Sequence, residues 1–146
     1  MGHFCVEINR LKVPGSLEPF TNLEIEHILP NKPEDDLCNK WANENPGVAY
    51  DDYKNRLGNL TLLEKPINIV AGNDFYTAKQ VEYSKSGNYL TRSLVALTDV
   101  GQNTSITRIN AKLEAFPAWN AASIEKRHAM LIALAQDVWK TTAIDV

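Results

Sequence analysis

Cysteine is scarce in this sequence of 146 residues, which contains only Cys5 and Cys38. Two cysteines without a CxxC spacing make neither a disulfide framework nor a zinc knuckle, so we expect no structural zinc and a reducing cytoplasm as the location. Long apolar runs are also missing: no segment approaches the about 20 residues that cross a bilayer, and residues 1–12 lack the apolar core of a secretory signal. We therefore expect no contact with a membrane.

An excess of basic charge is lacking too, because 15 Lys and Arg stand against 18 Asp and Glu, which gives a net charge of −3. The charge is uneven along the chain. Residues 1–52 carry 4 basic and 10 acidic side chains, residues 53–92 carry 6 and 3, and residues 93–146 carry 5 of each. An anionic nucleic acid responds to the local charge rather than to the total. The middle segment is therefore the part of the chain best suited to contact an anionic partner.

The length and composition describe one ordinary globular domain. Hydrophobic residues make up 44% of the chain and charged residues 23%, and the length suits a single core. Turn signals at Pro14-Gly15 and at Pro19 come before the first regular pattern. We predict that residues 1–20 are a lead-in segment, either an upstream linker or a sequence added for expression, and that residues 21–146 form the domain.

Hydrophobic periodicity predicts an α+β domain with few strands. Residues 23–29 begin with alternating apolar and polar side chains and are interpreted as a short strand that Pro30 ends. Residues 56–63 predict a turn into a second strand, after which Pro66 is well placed to begin a helix. Further helices are predicted at residues 35–43, 75–83, 90–97 and 105–116, and a last one that Ser123 caps, with Ile124, Leu131, Leu134, Ala135 and Val138 on its apolar face.

The candidate catalytic and metal-binding residues lie around the two predicted strands. Glu26 and His27 are adjacent near the end of the first strand, Asn59 follows a turn glycine before the second, and Asn68 comes nine residues later. A neutral histidine, with an unperturbed pKa of about 6.5, can take a proton from water at physiological pH. Asn59 could hydrogen-bond the loop that bears His27 and so keep the imidazole in attack geometry.

The same set offers hard ligands for a divalent cation. A carboxylate oxygen of Glu26 and the amide oxygen of Asn68 suit Mg²⁺ or Mn²⁺, which would bind a phosphate oxygen and offset charge during phosphodiester cleavage. Adjacent residues of a strand point to opposite faces, so Glu26 and His27 converge on one phosphate only if the strand ends or bends there. Pro30 makes such a bend reasonable.

Each candidate also has a structural interpretation. Asn59 and Asn68 could be turn or cap residues, and Glu26 could be a solvated carboxylate at a strand end. Lys79 could be a solvated charge on a helix, and Arg127 could pair with a carboxylate inside the helical bundle. The spacing favours the site for both asparagines. Core positions are predicted for the three tryptophans, Trp41, Trp119 and Trp139.

Four blocks of the sequence stand in a specific order. They are Glu26-His27-Ile28-Leu29-Pro30, the run NRLGNLTLL from Asn55 to Leu63, Asn68, and Asn73-x-Phe75-x-x-x-Lys79, followed by Trp119, Ile124-x-x-Arg127 and Trp139. Together they resemble the C-terminal domain of GmrSD-type modification-dependent restriction enzymes, a branch of the HNH (His-Me finger) endonuclease superfamily. The likeness covers roughly residues 23–140, and the spacing from Asn59 to Asn68 is that of many HNH domains.

The resemblance implies a ββα-metal (HNH) core within a mostly helical α+β domain. His27 would be the general base and Asn59 the middle residue of the triad. Asn68 would be the closing metal ligand and Glu26 the first ligand, with Mg²⁺ or Mn²⁺ as the cation. Lys79 would contact the scissile or a neighbouring phosphate. Weaker candidates for contact with DNA are Arg56, Lys65, Arg92 and Arg127.

The expected function is therefore a metal-dependent endonuclease or nickase acting on double-stranded DNA, with 5′-phosphate and 3′-hydroxyl products. The resemblance also implies a role in defence against phage or other foreign DNA. It further implies an N-terminal nucleotide-hydrolysing, DNA-sensing domain, whose DGQQR-type motif this sequence does not contain. Two alternatives stay open: a non-catalytic DNA-binding or assembly module on the same scaffold, and a ribonuclease.

Overall fold

The computed structural model describes residues 22–98 and 105–139 of the chain. Its strands are β1 (Leu23–His27) and β2 (Leu60–Glu64). Its helices are α1 (Asp35–Glu44), α2 (Asp51–Lys54), α3 (Lys65–Ala71), α4 (Tyr76–Tyr83), α5 (Tyr89–Arg92), α6 (Ser105–Asn110) and α7 (Ala121–Trp139), with a 3-10 turn at Leu57–Asn59. The predicted α+β class with mostly helical elements is confirmed, whereas the predicted lead-in segment 1–20 lies outside the described residues.

The two strands pair antiparallel although residues 28–59 intervene between them. The register sets His27, the last residue of β1, opposite Leu60, the first residue of β2. Pairing continues one step further, because the Ile28 amide donates a hydrogen bond of 3.0 Å to the Asn59 carbonyl. The end of β1 and the start of β2 therefore lie side by side, which brings the two halves of the predicted site together.

Strand β2 is covered on both faces, so it lies in the interior. Successive side chains of a strand point to opposite faces, and Leu62 and Leu63 belong to two different buried clusters. The cluster of Leu63 includes Ile28 and Trp119, and the cluster of Leu62 includes Leu131 of α7. The site at the end of β1 thus rests on a rigid, two-sided core.

Helix α3 follows β2 directly and packs against both strands and against α4. Pro66 lies in its first turn, where the missing amide hydrogen has no helical acceptor to lose. The chain order of strand, strand and helix therefore places Asn68, on α3, beside β1. Within residues 22–98 and 105–139, no helix has the length and apolar character that a membrane crossing requires.

Two helices are shorter than the sequence predicts. α5 ends at Arg92 instead of residue 97, and α6 ends at Asn110 instead of residue 116. Beyond these ends the backbone finds distant partners, because the Phe116 amide donates a hydrogen bond of 2.9 Å to the Leu94 carbonyl. Tyr76 donates its hydroxyl to the carbonyls of both residues, at 3.1 Å and 2.7 Å. Local turns continue for a few residues after each helix, and these long-range bonds then join the two segments.

Helix α7 is predicted by the sequence, but neither of its ends is. It begins at Ala121, and the Asn120 side chain accepts a hydrogen bond of 2.9 Å from the Ser123 amide, so Asn120 rather than Ser123 is the cap. Of the predicted apolar face, Ile124, Leu131 and Leu134 are buried. Trp41 and Trp119 are buried as predicted, but Trp139 is 49% exposed in the last turn of α7, and its prediction as a core residue is wrong.

Gly58 is required by the close approach of α7 to the 3-10 turn. A Cβ at this position would lie 2.1 Å from the Ile124 carbonyl oxygen and 2.9 Å from the His128 amide nitrogen, and both are backbone atoms of the helix. We expect Gly58→Ala to lower the free energy of unfolding by about 3 kcal/mol, because the whole helix must move to accommodate the methyl group. Urea denaturation followed by circular dichroism measures this loss.

Gly87→Ala is the matched control for that substitution. The nearest atom to its new Cβ is the carboxylate oxygen Oε1 of Glu64 at 3.1 Å, which is the far end of a flexible side chain. We expect it to change the stability by less than about 1 kcal/mol. Equal losses for the two glycines would show that the contact with α7 is not what requires Gly58.

Candidate active site

His27 lies half-buried at the end of β1, with its ring next to an asparagine that was not among the predicted site residues. The imidazole Nε2 is 3.2 Å from Oδ1 of Asn55, just before the 3-10 turn. In the tautomer that donates Nε2–H to that oxygen, Nδ1 carries the lone pair that a general base needs. The only signal for Asn55 in the sequence is its place at the start of the NRLGNLTLL block.

Asn59 is fully buried and uses its side-chain amide to fix the segment after His27. Its Oδ1 accepts hydrogen bonds from the Leu29 amide at 2.7 Å and from Nε1 of Trp119 at 2.9 Å. Its Nδ2 donates to the carbonyls of Leu29 at 2.9 Å and Lys54 at 2.8 Å. These four bonds use both donors and both lone pairs of the amide. The expected contact with the loop that bears His27 is present, and its part in catalysis stays a prediction.

Arg127 supports the same turn from α7 and does not face solvent. The side chain is buried, and Nη1 donates hydrogen bonds of 2.8 Å to the carbonyls of Gly58 and of Leu60. These carbonyls flank Asn59, so Arg127 stabilises the backbone on both sides of it. For Arg127 the sequence predicted a DNA contact or a carboxylate partner inside the bundle. The Nη1 atom instead binds two backbone carbonyls.

Glu26 and Lys79 contact each other inside the domain. Nζ of Lys79 donates to Oε1 of Glu26 at 2.6 Å and to the His27 carbonyl at 2.9 Å, and the Tyr83 hydroxyl donates to the same Oε1 at 2.7 Å. The Lys79 side chain has no exposed surface, and that of Glu26 is 7% exposed. Lys79 therefore does not reach a phosphate in this conformation, contrary to the sequence-based expectation.

Burial governs the electrostatics of this cluster. It lowers the pKa of Lys79, while the neighbouring Glu26 carboxylate acts in the opposite direction. Burial also raises the pKa of Tyr83 well above its ordinary value, and the charge of Glu26 adds to this. Tyr83 thus keeps its proton and stays a hydrogen-bond donor to the carboxylate.

Asn68 lies beside a different carboxylate of β1. Its Nδ2 donates a hydrogen bond of 2.9 Å to Oε2 of Glu24, and Nζ of Lys65 is 3.7 Å from the other oxygen of that carboxylate. Glu24 and Glu26 are two residues apart on β1, so both side chains point to the face that α3 covers. The structure therefore brings Asn68 to this face, next to Glu24 and not next to Glu26. His27 lies at an alternate position of the same regular strand, so its side chain points to the opposite face.

Only some of the predicted metal ligands suit a divalent cation in this structure. In the described parts of the chain no group of three or more His, Cys, Asp or Glu side chains could bind a metal ion. Mg²⁺, however, commonly takes one or two carboxylates and completes its shell with water and substrate phosphates. The Glu24–Asn68 pair fits that pattern, because the Glu24 side chain is 39% exposed. Glu26 does not fit it, because the Lys79 ammonium already neutralises its buried carboxylate.

The basic residues of segment 53–92 offer less free positive charge than their number suggests. Five of the six form ion pairs: Lys54 with Asp51, Arg56 with Glu125, Lys65 with Glu24, Lys79 with Glu26 and Lys85 with Glu82. Arg92 lies over the Tyr89 ring at 5.4 Å and donates to the Ser86 carbonyl. Of the predicted DNA contacts, Arg56 and Lys65 keep substantial side-chain exposure.

Comparison with known families places this chain among the restriction endonucleases. It belongs to the family described as GmrSD restriction endonucleases, C-terminal domain, whose model matches residues 8–134. The predicted resemblance to the C-terminal domain of GmrSD-type enzymes is thereby confirmed, and the assignment to the HNH superfamily stays a prediction. No curated protein and no solved structure matches the chain.

Proposed function

We propose that this domain hydrolyses phosphodiester bonds of double-stranded DNA as an HNH (His-Me finger) nuclease, with His27 as the general base. The observation that carries the proposal is the pair of hydrogen bonds by which buried Asn59 fixes the backbone after His27, while two further bonds, with Lys54 and Trp119, hold Asn59 itself. A strand-end histidine supported so closely is suited to a task that needs a fixed imidazole. Membership of a restriction endonuclease family supports the same reaction.

The reaction requires a nucleophile stronger than neutral water. His27, half-buried and in contact with Asn55, accepts a proton from a water molecule through Nδ1 as the oxygen attacks phosphorus. The bond to the 3′ oxygen breaks, and that oxygen takes a proton from solvent water, which leaves 5′-phosphate and 3′-hydroxyl ends. Asn59 takes no proton: it fixes the position of the segment that carries the base.

The unit of β1, β2 and α3 corresponds in this proposal to the ββα core of HNH domains. Its support is the antiparallel pairing of the strands and the packing of the next helix against both of them. A divalent cation, Mg²⁺ or Mn²⁺, would supply charge neutralisation at the phosphate. Asn68 would be one ligand and Glu24 the other, whereas the Glu26 carboxylate is already paired with Lys79. Glu24 and His27 point to opposite faces of β1, so the proposal requires the phosphate to lie at the end of the strand, within reach of both.

The biological setting follows from the family. A restriction endonuclease domain acts against foreign DNA, and we propose that an N-terminal nucleotide-hydrolysing, DNA-sensing domain selects the target. Exposed Arg56 and Lys65 are the candidates for contacts with the DNA backbone. On binding, their ion pairs with Glu125 and Glu24 would be replaced by ion pairs with phosphates. This exchange would make binding dependent on salt.

Incubation of supercoiled plasmid with the purified domain tests the proposal. We expect nicked or linear product with Mg²⁺ or Mn²⁺ and none with EDTA. Binding of DNA without metal-dependent cutting would support a non-catalytic binding or assembly module instead. Faster cleavage of RNA than of DNA would make the domain a ribonuclease.

Titration of Mg²⁺ tests the two proposed ligands. We expect Asn68→Ala and Glu24→Gln to raise the Mg²⁺ concentration for half-maximal cleavage about tenfold each, which corresponds to about 1.4 kcal/mol of lost binding. Glu26→Gln should leave the midpoint of the titration unchanged, because its carboxylate is bound to Lys79. A shifted midpoint for Glu26→Gln together with an unchanged one for Glu24→Gln would return the ligand role to Glu26.

A further inference from the structure

The ammonium of Lys79 connects α4 to the backbone of the proposed base. Its Nζ lies 2.9 Å from the His27 carbonyl oxygen and 2.6 Å from Oε1 of Glu26. The Lys79 side chain is fully buried, so the ammonium has exchanged its water shell for protein oxygens. A bond from a charged donor to a carbonyl is stronger than one between neutral groups. It therefore restrains the His27 peptide group more firmly than an ordinary backbone contact would.

Glu26 orients this ammonium. Both the Lys79 ammonium and the Tyr83 hydroxyl donate to Oε1 of Glu26, so the carboxylate lies between the two donors. Replacing a buried ion pair by well-packed apolar residues is often neutral or stabilising, so stability alone does not account for a charge pair here. The bond to the His27 carbonyl is the feature that an apolar pair would not provide.

The backbone around Ile28 is restrained from two sides. On one side Lys79 binds the His27 carbonyl, and on the other Asn59 binds both the amide and the carbonyl of Leu29. With these peptide groups fixed, the imidazole keeps only its side-chain torsions, and Asn55 contacts Nε2 at the end of the ring. A rigid mount of this kind decides whether a general base stands in attack geometry.

We propose that Lys79 is a positioning residue for His27: held by Glu26, its ammonium fixes the His27 carbonyl and thereby the place of the imidazole. The inference rests on the proposed function of the domain. It gives the buried pair a catalytic purpose without any contact to metal or phosphate. Loss of Lys79 should therefore lower kcat and leave substrate binding intact.

The test compares Glu26→Gln with the double variant Glu26→Gln/Lys79→Met. Both lack the carboxylate, so the difference between them reports Lys79, whose terminal nitrogen can still donate to the His27 carbonyl in Glu26→Gln. A lone buried lysine can lose its proton and remain a donor, and neither variant buries an unpaired carboxylate. On a DNA duplex at saturating Mg²⁺, we expect the double variant to have a kcat about 10- to 100-fold below that of Glu26→Gln, with an unchanged KM. Circular dichroism should show the same fold for both.

Three other results would overturn the inference. Equal kcat values would make Lys79 only a counter-ion of Glu26. A raised KM with unchanged kcat would make Lys79 a substrate contact. Tyr83→Phe provides a control, because Tyr83 donates to Glu26 and not to Lys79 or His27, so its loss leaves both bonds of Lys79 in place; a kcat loss as large as that of the double variant would indicate a general packing defect.

A spectroscopic readout separates this inference from the proposed function. In protein labelled with ¹⁵N-histidine, the His27 imidazole signals should shift and broaden in the double variant relative to Glu26→Gln. The His128 signals, from α7, should stay unchanged. Absence of cleavage by the parent domain would contradict the proposed function alone, whereas identical His27 signals in the two variants would contradict the positioning role whether or not the domain cleaves DNA.

Discussion

His27→Ala is expected to lower the rate of plasmid cleavage by about 10²- to 10⁴-fold, which is the usual contribution of a positioned general base. The imidazole makes one hydrogen bond to a side chain, the contact with Asn55, and lies half-buried at a strand end. Its removal should therefore change the folding stability and the Mg²⁺ requirement little. The measurement is single-turnover cleavage of supercoiled plasmid, with circular dichroism to verify the fold.

His128→Ala is the matched control, since it removes an imidazole from α7 and not from β1. We expect its cleavage rate to stay within about threefold of the parent, because His128 contributes no group to the proposed chemistry. A His27→Ala domain that cuts as fast as its parent would exclude this imidazole as the base. Equal losses for both histidines would indicate a defect of folding instead.

Asn59→Ala should be the most destabilising substitution in the site, with a loss of about 4 kcal/mol or more in the free energy of unfolding. The alanine leaves the Leu29 amide and the Trp119 indole N–H as buried donors without their acceptor, and it removes the donor to the carbonyls of Leu29 and Lys54. Each buried polar group without a partner costs about 1–3 kcal/mol. Urea denaturation measures the loss.

Asn59→Asp tests whether the stability that Asn59 provides comes from its hydrogen bonds or from the shape of its side chain. Its carboxylate has the shape of the amide, but an oxygen replaces Nδ2 opposite the carbonyls of Leu29 and Lys54. We expect it to be at least as destabilising as Asn59→Ala, because it puts an unpaired buried charge against two carbonyl oxygens. Asn73→Ala, at an exposed asparagine, should change the stability by less than about 0.5 kcal/mol. A mild effect of Asn59→Asp would show that the amide donors are dispensable.

The sequence predicts the part of the site that depends on local pattern. Alternating side chains and Pro30 mark the end of β1, and the glycine before Asn59 marks the turn into β2. These signals suffice to predict that Asn59 contacts the loop after His27. They also place Asn68 on the helix that follows the second strand. Each inference needs only short-range periodicity and turn chemistry.

The partners of the charged residues could not be predicted in this way. Glu26 and Lys79 are 53 positions apart, and Arg127 is 69 positions from Gly58. In a sequence, Lys79 looks like any solvated lysine on a helix, because burial of a charge depends on how α4 packs against β1. The same holds for the exposed end of α7 at Trp139, where the apolar spacing continues beyond the core. These roles depend on long-range packing, and the local sequence pattern carries no information about that packing.

The dependence of the Asn59 turn on Trp119 and Arg127 has a consequence for synthesis of the protein. A nascent chain that has left the ribosome only as far as α5 already contains the histidine, both strands and α3, but it lacks the indole and guanidinium donors that fix the turn. Under the proposed function, an incomplete polypeptide would contain the general base His27, but the Asn59 turn that positions this base would not be stable. Host DNA would then meet a competent enzyme only after the last helix has docked.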